Sequence, residues 1–435
     1  MHSRSLLRSL LILILGGHFL CIGKGEVPEK PNLILVLADD LSASALSCYG
    51  AEMISTPVLD QLAAEGIRYE HCYSPALCMP SRCSLLTGKY SHRNFLGRGN
   101  VAVGEATIAS ELKKAGYATC QVEKWHLNIN QGAMPPQVGF DEYYHTKLSH
   151  NYFDPIVDVN GEETTYPGGY GPQVCQEFAF DFIERNRESP FFLYYAIHLP
   201  HAPYHIPPES DLGERATFEE KYFAMIEHMD ARVGELVAHL EALQLREKTV
   251  LVFIGDNGTP KSFSYPSSGR ILQGEKASPY DSGTHVPMIV SWPGTAPLGL
   301  VSDHLIDFVD FLPTALEMAG LPVASKPATD GISFYQQLIG NAEAPVRKVS
   351  FKFGVQNGGK GAGPTNGYWA RTQRWKLYDD GTFFDILRDP LEEKSLDEGT
   401  AKDGGESARK KLTRFLETSG AAEATKKFRN AARKK

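Results

Sequence analysis

Cysteine is scarce in this chain, with seven in 435 residues. That density excludes a fold held together by a disulfide scaffold. Positive charge is not in surplus either. Lys and Arg number 44 against 52 Asp and Glu, for a net charge of -8, so a nucleic-acid-binding role loses weight and none is expected. Long apolar runs are missing beyond the extreme N-terminus. The run from Leu10 to Leu15 is too short to span a bilayer, and no stable membrane anchor is expected. There is no internal repeat. What the chain does have is 42% hydrophobic residues, enough for one large domain and a smaller one.

The first 25 residues carry Arg4 and Arg8, then the apolar run, then small residues up to Gly25. This three-part order is that of a secretory signal peptide. A secreted or periplasmic protein is therefore expected, and residues 1–25 are set aside. Lipid attachment at Cys21 ranks second, because Leu20 is a poor residue to precede it. The other cysteines are Cys48, Cys72, Cys78, Cys83, Cys120 and Cys175. One or two bridges among them stay open, and spacing alone does not assign a pairing.

Four apolar runs read as buried strands: Asn32–Asp40, Pro190–His198, Thr249–Gly258 and Met288–Trp292. Helical patterns lie between them. Ser55–Ile67 has a Ser/Thr start and a Gly stop. Phe218–Leu243 reads as a long amphipathic helix broken once, and Asp310–Leu321 as another helix. Strands alternating with helices predict an α/β sheet covered on both faces, spanning residues 26–340. From about 341 the texture changes. A Gly-rich loop over 357–367 leads to antiparallel strands around an Asp380–Gly381 turn, a charged helix, and a basic tail, Lys426–Lys435, expected to be frayed and solvated.

Two of the strands end in hard oxygen donors, Asp39–Asp40 and Asp256–Asn257. Either doublet alone suits a turn. Together, at the carboxyl ends of core strands, they suit Ca2+, with Mg2+ as the alternative. The only glycosylation sequon, at Asn257, would then be too buried to carry a glycan. A third feature is the stretch CMPSRCSLLTG, Cys78–Gly88. Pro80 fits the first turn of a helix that stops at Gly88. Cys78 then sits at the positive end of the helix dipole, with Arg82 one turn further in, forming an anion site that contains a modifiable sulfur. A Cys78–Cys83 disulfide is the simpler alternative. In Gly116–Asn128, Lys124 and His126 fall on one face if the segment is extended. His198, His201 and His205 invite a zinc reading, but the intervening prolines forbid the helix that would align them. His198 and His205 therefore read as packing or rim residues.

CMPSRCSLLTG resembles the signature of the type I sulfatases, in the alkaline phosphatase superfamily, whose cysteine is converted to formylglycine. The likeness runs from about Asn32 to about Leu396. The segment EKWHLN resembles that family's Gly-Lys-Trp-His-Leu-Gly, with Glu123 and Asn128 in place of the glycines. His201 maps onto its Pro-His-Thr-Pro loop. Lys276, Asp281, Ser282 and His285 map onto a segment in which Glu, Gly and Arg are common at the last three positions. Ser149, beside His150, takes the place of an active-site serine. The resemblance implies an alkaline phosphatase-like fold, with a large mixed, mostly parallel sheet flanked by helices and a small C-terminal antiparallel sheet. It implies hydrolysis of a sulfate ester, with Asp39, Asp40, Cys78, Asp256 and Asn257 around a divalent cation. Arg82 would fix the hydrated formylglycine. Lys124, His201 and Lys276 would neutralise sulfate oxygens, with Ser149 and His150 also touching substrate. His201 or Lys276 would protonate the leaving alcohol, and His126 would take the proton that releases sulfate. The implied partners are a formylglycine-generating maturation enzyme and a sulfated small molecule or, given the histidine-rich rim, a sulfated saccharide. Two alternatives stand beside this: a phosphonate monoester or phosphodiester hydrolase of the same superfamily, and a non-catalytic binder of sulfated glycans.

Overall fold

The computed structural model describes residues 30–94, 100–146, 152–321, 328–341, 343–354 and 367–432. The expected signal segment with Cys21, the pair Ser149 and His150, most of the Gly-rich loop and the last three residues of the tail lie outside these. Sixteen strands are present among the described residues: β1 Asn32–Ala38, β2 Ile67–Tyr73, β3 Ala118–Glu123, β4 Glu142–Thr146, β5 Ile156–Val159, β6 Glu162–Thr165, β7 Phe191–Ala196, β8 Thr249–Gly255, β9 Ser264–Ser267, β10 Arg270–Gln273, β11 Met288–Ser291, β12 Leu300–Asp307, β13 Ser350–Phe353, β14 Tyr368–Arg371, β15 Trp375–Tyr378 and β16 Phe383–Asp385. The helices are α1 Pro57–Ala64, α2 Cys78–Thr87, α3 Ser91–Asn94, α4 Ile108–Lys114, α5 Gly171–Arg185, α6 Phe218–Ala242, α7 Asp281–Thr284, α8 Phe311–Met318, α9 Tyr335–Leu338, α10 Gly405–Thr418 and α11 Ala421–Ala432. No described helix is long and apolar enough to cross a membrane.

Ten strands form one sheet in the order β12-β2-β11-β8-β1-β7-β3-β4-β5-β6. Its centre, β8-β1-β7-β3, is parallel throughout. Alternate residues of β1 enter opposite cores: Leu33, Leu35 and Leu37 face one, Ile34 and Val36 the other. That is why the run is continuously apolar rather than alternating. β11 is apolar for the same reason but runs antiparallel to β8 and β2, so the sheet is mixed. β13 to β16 make a separate antiparallel sheet with its own core, to which α10 contributes Leu412 and Leu416.

Two sequence expectations need correction. The Phe218–Leu243 pattern forms one unbroken helix, because its buried positions, from Tyr222 through Met229 and Val233 to Leu240, keep to one face without a slip. The tail is not frayed from Lys426: α11 runs to Ala432, anchored by Ala421, which is buried in the small sheet's core.

Candidate active site

Parallel strands bring their carboxyl ends to one edge, and here four adjacent ends deliver the polar residues. Ala38 is in register with Gly255, so Asp39 and Asp40 emerge beside Asp256 and Asn257. On the other side of β1, β7 leads to His198 and His201. Beyond it, β3 leads to Lys124 and His126. All four acid and amide residues are buried, and the sequon at Asn257 is closed to a glycan.

α2 enters this edge with Cys78 as its first residue and ends at Gly88, whose φ of 64° is left-handed. A Cβ there would lie 2.6 Å from Thr329 Oγ1, so glycine is required. The Cys78 Sγ lies 3.3 Å from His126 Nδ1. The alternative of a Cys78–Cys83 disulfide is not realised. All six cysteines of the described chain are free, and the Cys83 thiol faces the carbonyls of Asn94 and Asn100.

Arg82 is completely buried. Its Nε and Nη2 donate to Asp256 Oδ2 at 3.1 and 2.8 Å, and its Nη1 to the Lys124 carbonyl at 3.0 Å. The fork therefore braces the acidic edge and the β3 terminus, and these hydrogen bonds go to Asp256 and Lys124 and not to residue 78. Lys124 pairs with Asp39. Lys276 reaches Asp40 Oδ1 at 2.5 Å. Burial works against the Lys276 ammonium, but Asp40 outweighs it and raises its pKa.

Lys124 and His126 do converge, though not by strand alternation. β3 stops at Glu123, and Glu123 and His126 have φ of 73° and 58°. These left-handed residues turn the chain back toward the edge, at a cost of roughly 1 kcal/mol each. The first of them falls where the sulfatase pattern has glycine, the residue that adopts this conformation freely.

His201 Nδ1 lies 2.7 Å from the Ala202 carbonyl. An oxygen that only accepts fixes the proton on Nδ1 and leaves Nε2, 3.7 Å from Asp40 Oδ2, as the free nitrogen. His198 sits closer to the centre than a rim residue would, with Nε2 3.8 Å from Asp39 Oδ2. His205 packs on Tyr152 at 4.2 Å between ring centroids and bonds Tyr170. The three histidines therefore do not form one metal cluster. Asp39, His198 and His201 do offer ligand atoms within 4.8 Å of one another.

Burial lowers the pKa of His126 to about 3, aided by Lys124 and Arg82. It also lowers His198 and His201. All three are neutral near pH 7 and can accept a proton. Among the acids, burial opposes ionisation of Asp39, but the charges of Lys124 and Arg82 overcome it and hold that carboxyl low. Burial and the charge of Asp39 push Asp256 up. Two carboxylates that cannot both ionise cheaply are relieved by a cation between them. Asp39 Oδ1 and Asn257 Oδ1 are buried without a hydrogen-bond partner. Ligand atoms of Asp39, Cys78 and Asp256 lie within 4.8 Å of one another. An oxygen-rich set with orphaned acceptors fits a hard divalent cation.

Several supporting residues escaped the sequence reading. The Tyr152 hydroxyl donates to the carbonyls of His198 and His201 at 3.0 and 2.6 Å, holding their loop. Tyr222 donates to the Asp40 carbonyl at 2.8 Å. Where the family pattern has Glu and Arg, Asp281 and His285 pair at 3.3 Å. Arg371 of β14 joins Asp281 and lies 3.7 Å over the Tyr73 ring. His285 thus clips α7 to β2 through the Glu70 carbonyl, 2.8 Å away. No local signal marks Tyr152, Tyr222 or Arg371, because each reaches its partner from a distant part of the chain.

Residues 31–321 match the family model described as Sulfatase. The chain belongs to the sulfatase family. It is 31% identical over 385 residues to human arylsulfatase A, covering 79% of this chain and 73% of that one. It is 30% identical over 419 residues to N-acetylgalactosamine-6-sulfatase of the dog, covering 87% and 78%. The crystal structure of Ps i-CgsB in complex with k-i-k-neocarrahexaose superposes with a TM-score of 0.73 at 26% identity, over 89% of this chain and 92% of that one. The sulfatase is therefore a sulfuric ester hydrolase of alkaline phosphatase-like fold.

Proposed function

We propose that this sulfatase hydrolyses the sulfate ester of a sulfated carbohydrate, with Cys78 converted to formylglycine and a calcium ion held by Asp39, Asp40, Asp256 and Asn257. Mg2+ is the alternative ion. The observation that carries the reading is the meeting of orphaned Asp39 and Asn257 oxygens with a cysteine at a helix N-terminus, 3.3 Å from a neutral histidine. Hydrated formylglycine supplies an oxygen nucleophile, and the divalent cation makes its ionisation cheaper and polarises the sulfate.

The chain's own residues do the rest. Lys124 and Lys276, beside Asp39 and Asp40, spread positive charge over the sulfate oxygens as the ester bond breaks. Lys276 keeps its proton near pH 7 and is the better donor to the leaving alcohol, whereas His201 is shifted toward its neutral form and serves as a hydrogen-bonding group. His126 Nδ1 faces residue 78 and takes the proton when sulfate is released. Arg82 fixes Asp256 and the Lys124 backbone, so that metal ligand and cation keep their spacing. The N-acetylgalactosamine-6-sulfatase and the neocarrahexaose complex among the similar proteins support a sugar as the leaving group. The basic-apolar-small order of residues 4–25 supports export, and Cys78 then requires a formylglycine-generating enzyme before use.

The test is the mass of the Cys78 peptide from protein made with such an enzyme, alongside sulfate release from N-acetylgalactosamine 6-sulfate. An aldehyde or its hydrate, with release that stops in Cys78→Ala, is expected. An intact thiol in active protein overturns the nucleophile. Faster turnover of a matched phosphonate monoester overturns the ester class.

A further inference from the structure

Charge is segregated along this chain. Residues 405–435 hold ten Lys and Arg against three Glu, a surplus of seven in a protein of net -8. Residues 1–404 therefore carry -15. The structure gathers part of the basic end at one place. A cleft of about 670 Å³ opens between α3 and α10, lined by Arg93, Lys348, Val349, Phe415, Thr418 and Ser419. It shares no residue with the catalytic edge. On α10, Lys411, Arg414 and Thr418 follow one another at helical spacing, so a line of cations leads to the cleft lip. Lys348 is near enough to depress the Lys411 pKa, after partial burial.

Other cations here are already spoken for. Arg93 pairs with Asp330 and Arg347 with Asp310. By contrast, among the described residues, Lys348, Lys410, Lys411, Arg414, Lys426 and Lys427 form no ion pair, and all six are exposed. Holding unpaired like charges together costs free energy that a polyanion would recover. The apolar stripe of α10 is consumed: Leu412 and Leu416 are buried against the small sheet. A helix lying in a lipid surface needs that stripe free, so a soluble polyanion fits better than a membrane.

We propose that the α3–α10 cleft and the cations of α10, Lys348 and the middle of α11 form a docking site for a sulfated polysaccharide chain, separate from the catalytic edge. The choice of a sulfated glycan among polyanions rests on the carbohydrate reading above. Multivalent docking at a second site raises the local concentration of ester groups without adding a contact at the reacting centre.

The test compares the parent with Lys411→Gln/Arg414→Gln and with a variant that also carries Lys348→Gln, Lys410→Gln and Lys426→Gln. Anisotropy of labelled dextran sulfate and chondroitin 6-sulfate gives binding, and a small chromogenic sulfate ester gives the catalytic control. Binding that weakens with salt, and falls about tenfold or more in the variants with a shallower salt slope, is expected. For a polymeric substrate KM should rise while kcat, small-ester kcat/KM and Tm stay at parental values. Unchanged polymer binding in the fivefold variant overturns the proposal. So does equal competition by single-stranded DNA or phosphatidylglycerol vesicles at matched charge. Salt-sensitive, variant-sensitive glycan binding without hydrolysis of any sulfate ester would leave the docking site standing and remove the catalytic reading instead.

Discussion

The proposed catalytic edge and the seam between the two sheets are both clusters of buried charge, yet they are finished differently. At the seam, Arg347 uses all its donors. It forks onto Asp310 and also reaches the Tyr90 hydroxyl at 2.9 Å and the carbonyls of Val349 and Asp330 at 3.0 Å. The Asp310 carboxylate also accepts from the Ile332 and Asp307 amides at 2.7 and 2.9 Å. Asp307 is closed by the Ser350 hydroxyl at 2.6 Å and Lys352 at 2.7 Å. At the catalytic edge, Asp39 and Asn257 each keep a buried oxygen without a hydrogen-bond partner. A closed network holds the fold together, whereas an open one is completed by something else. Burial and charge do not by themselves mark a site, and what sets the edge apart from the seam is a pair of neighbouring acceptor oxygens left open.

The sharpest break of the comparison is Cys78→Ala. Sulfate release should fall on the order of 10⁴-fold or more, with little change in urea midpoint. A variant that turns over at the parental rate would place the chemistry elsewhere. Next is Arg347→Met at the seam, which strands Asp310. It should cost about 3–5 kcal/mol in urea unfolding, while the folded fraction keeps parental kcat/KM. A selective loss of kcat there would mean that the seam is part of the active machinery.

Chelation comes third. Calcium at about 100 times its dissociation constant adds ~2.7 kcal/mol of stability. EDTA should therefore lower Tm by that equivalent and abolish turnover, with both restored by Ca2+, and the decrement should be the same in Arg347→Met. No Tm response in the parent would remove the cation from the open cluster.

The smallest effect concerns Glu123, which burial raises to about 8 and whose Oε2 has no partner. A folded pKa above the unfolded one gives stability that is present below about pH 4.5 and lost as pH rises through about 8. Glu123→Gln should remove that decline, so that the variant gains stability relative to the parent as pH rises from 5 to 8. Parallel Tm–pH curves would show that this carboxyl is satisfied after all.

Much of the site was legible because its information is local. Asp39–Asp40 and Asp256–Asn257 each end an apolar run, and parallel strands deliver such ends to one edge. Cys78, Arg82 and Gly88 belong to one helix, with its start, charge and stop in eleven consecutive residues. The backbone reversal at Glu123 and His126 was not legible, because left-handed φ at Glu is set by what lies around it and not by its own preference. Nor was the continuity of the Phe218–Ala242 helix, where packing along one face overrode a weak local pattern.

Sequence alone determined the identity of the donors and the place of Cys78 at the start of a helix, since these depend on neighbours a few positions apart. Tertiary structure decided which of those donors are spent. It set Arg82 against Asp256 and Lys124, placed Tyr152 under the histidine loop, and let Arg371 reach Asp281 from the small sheet. Those pairings join residues that are 40 to 170 or more positions apart. Only the folded chain brings such groups within the roughly 3 Å at which a hydrogen bond forms and a buried charge is satisfied or left open.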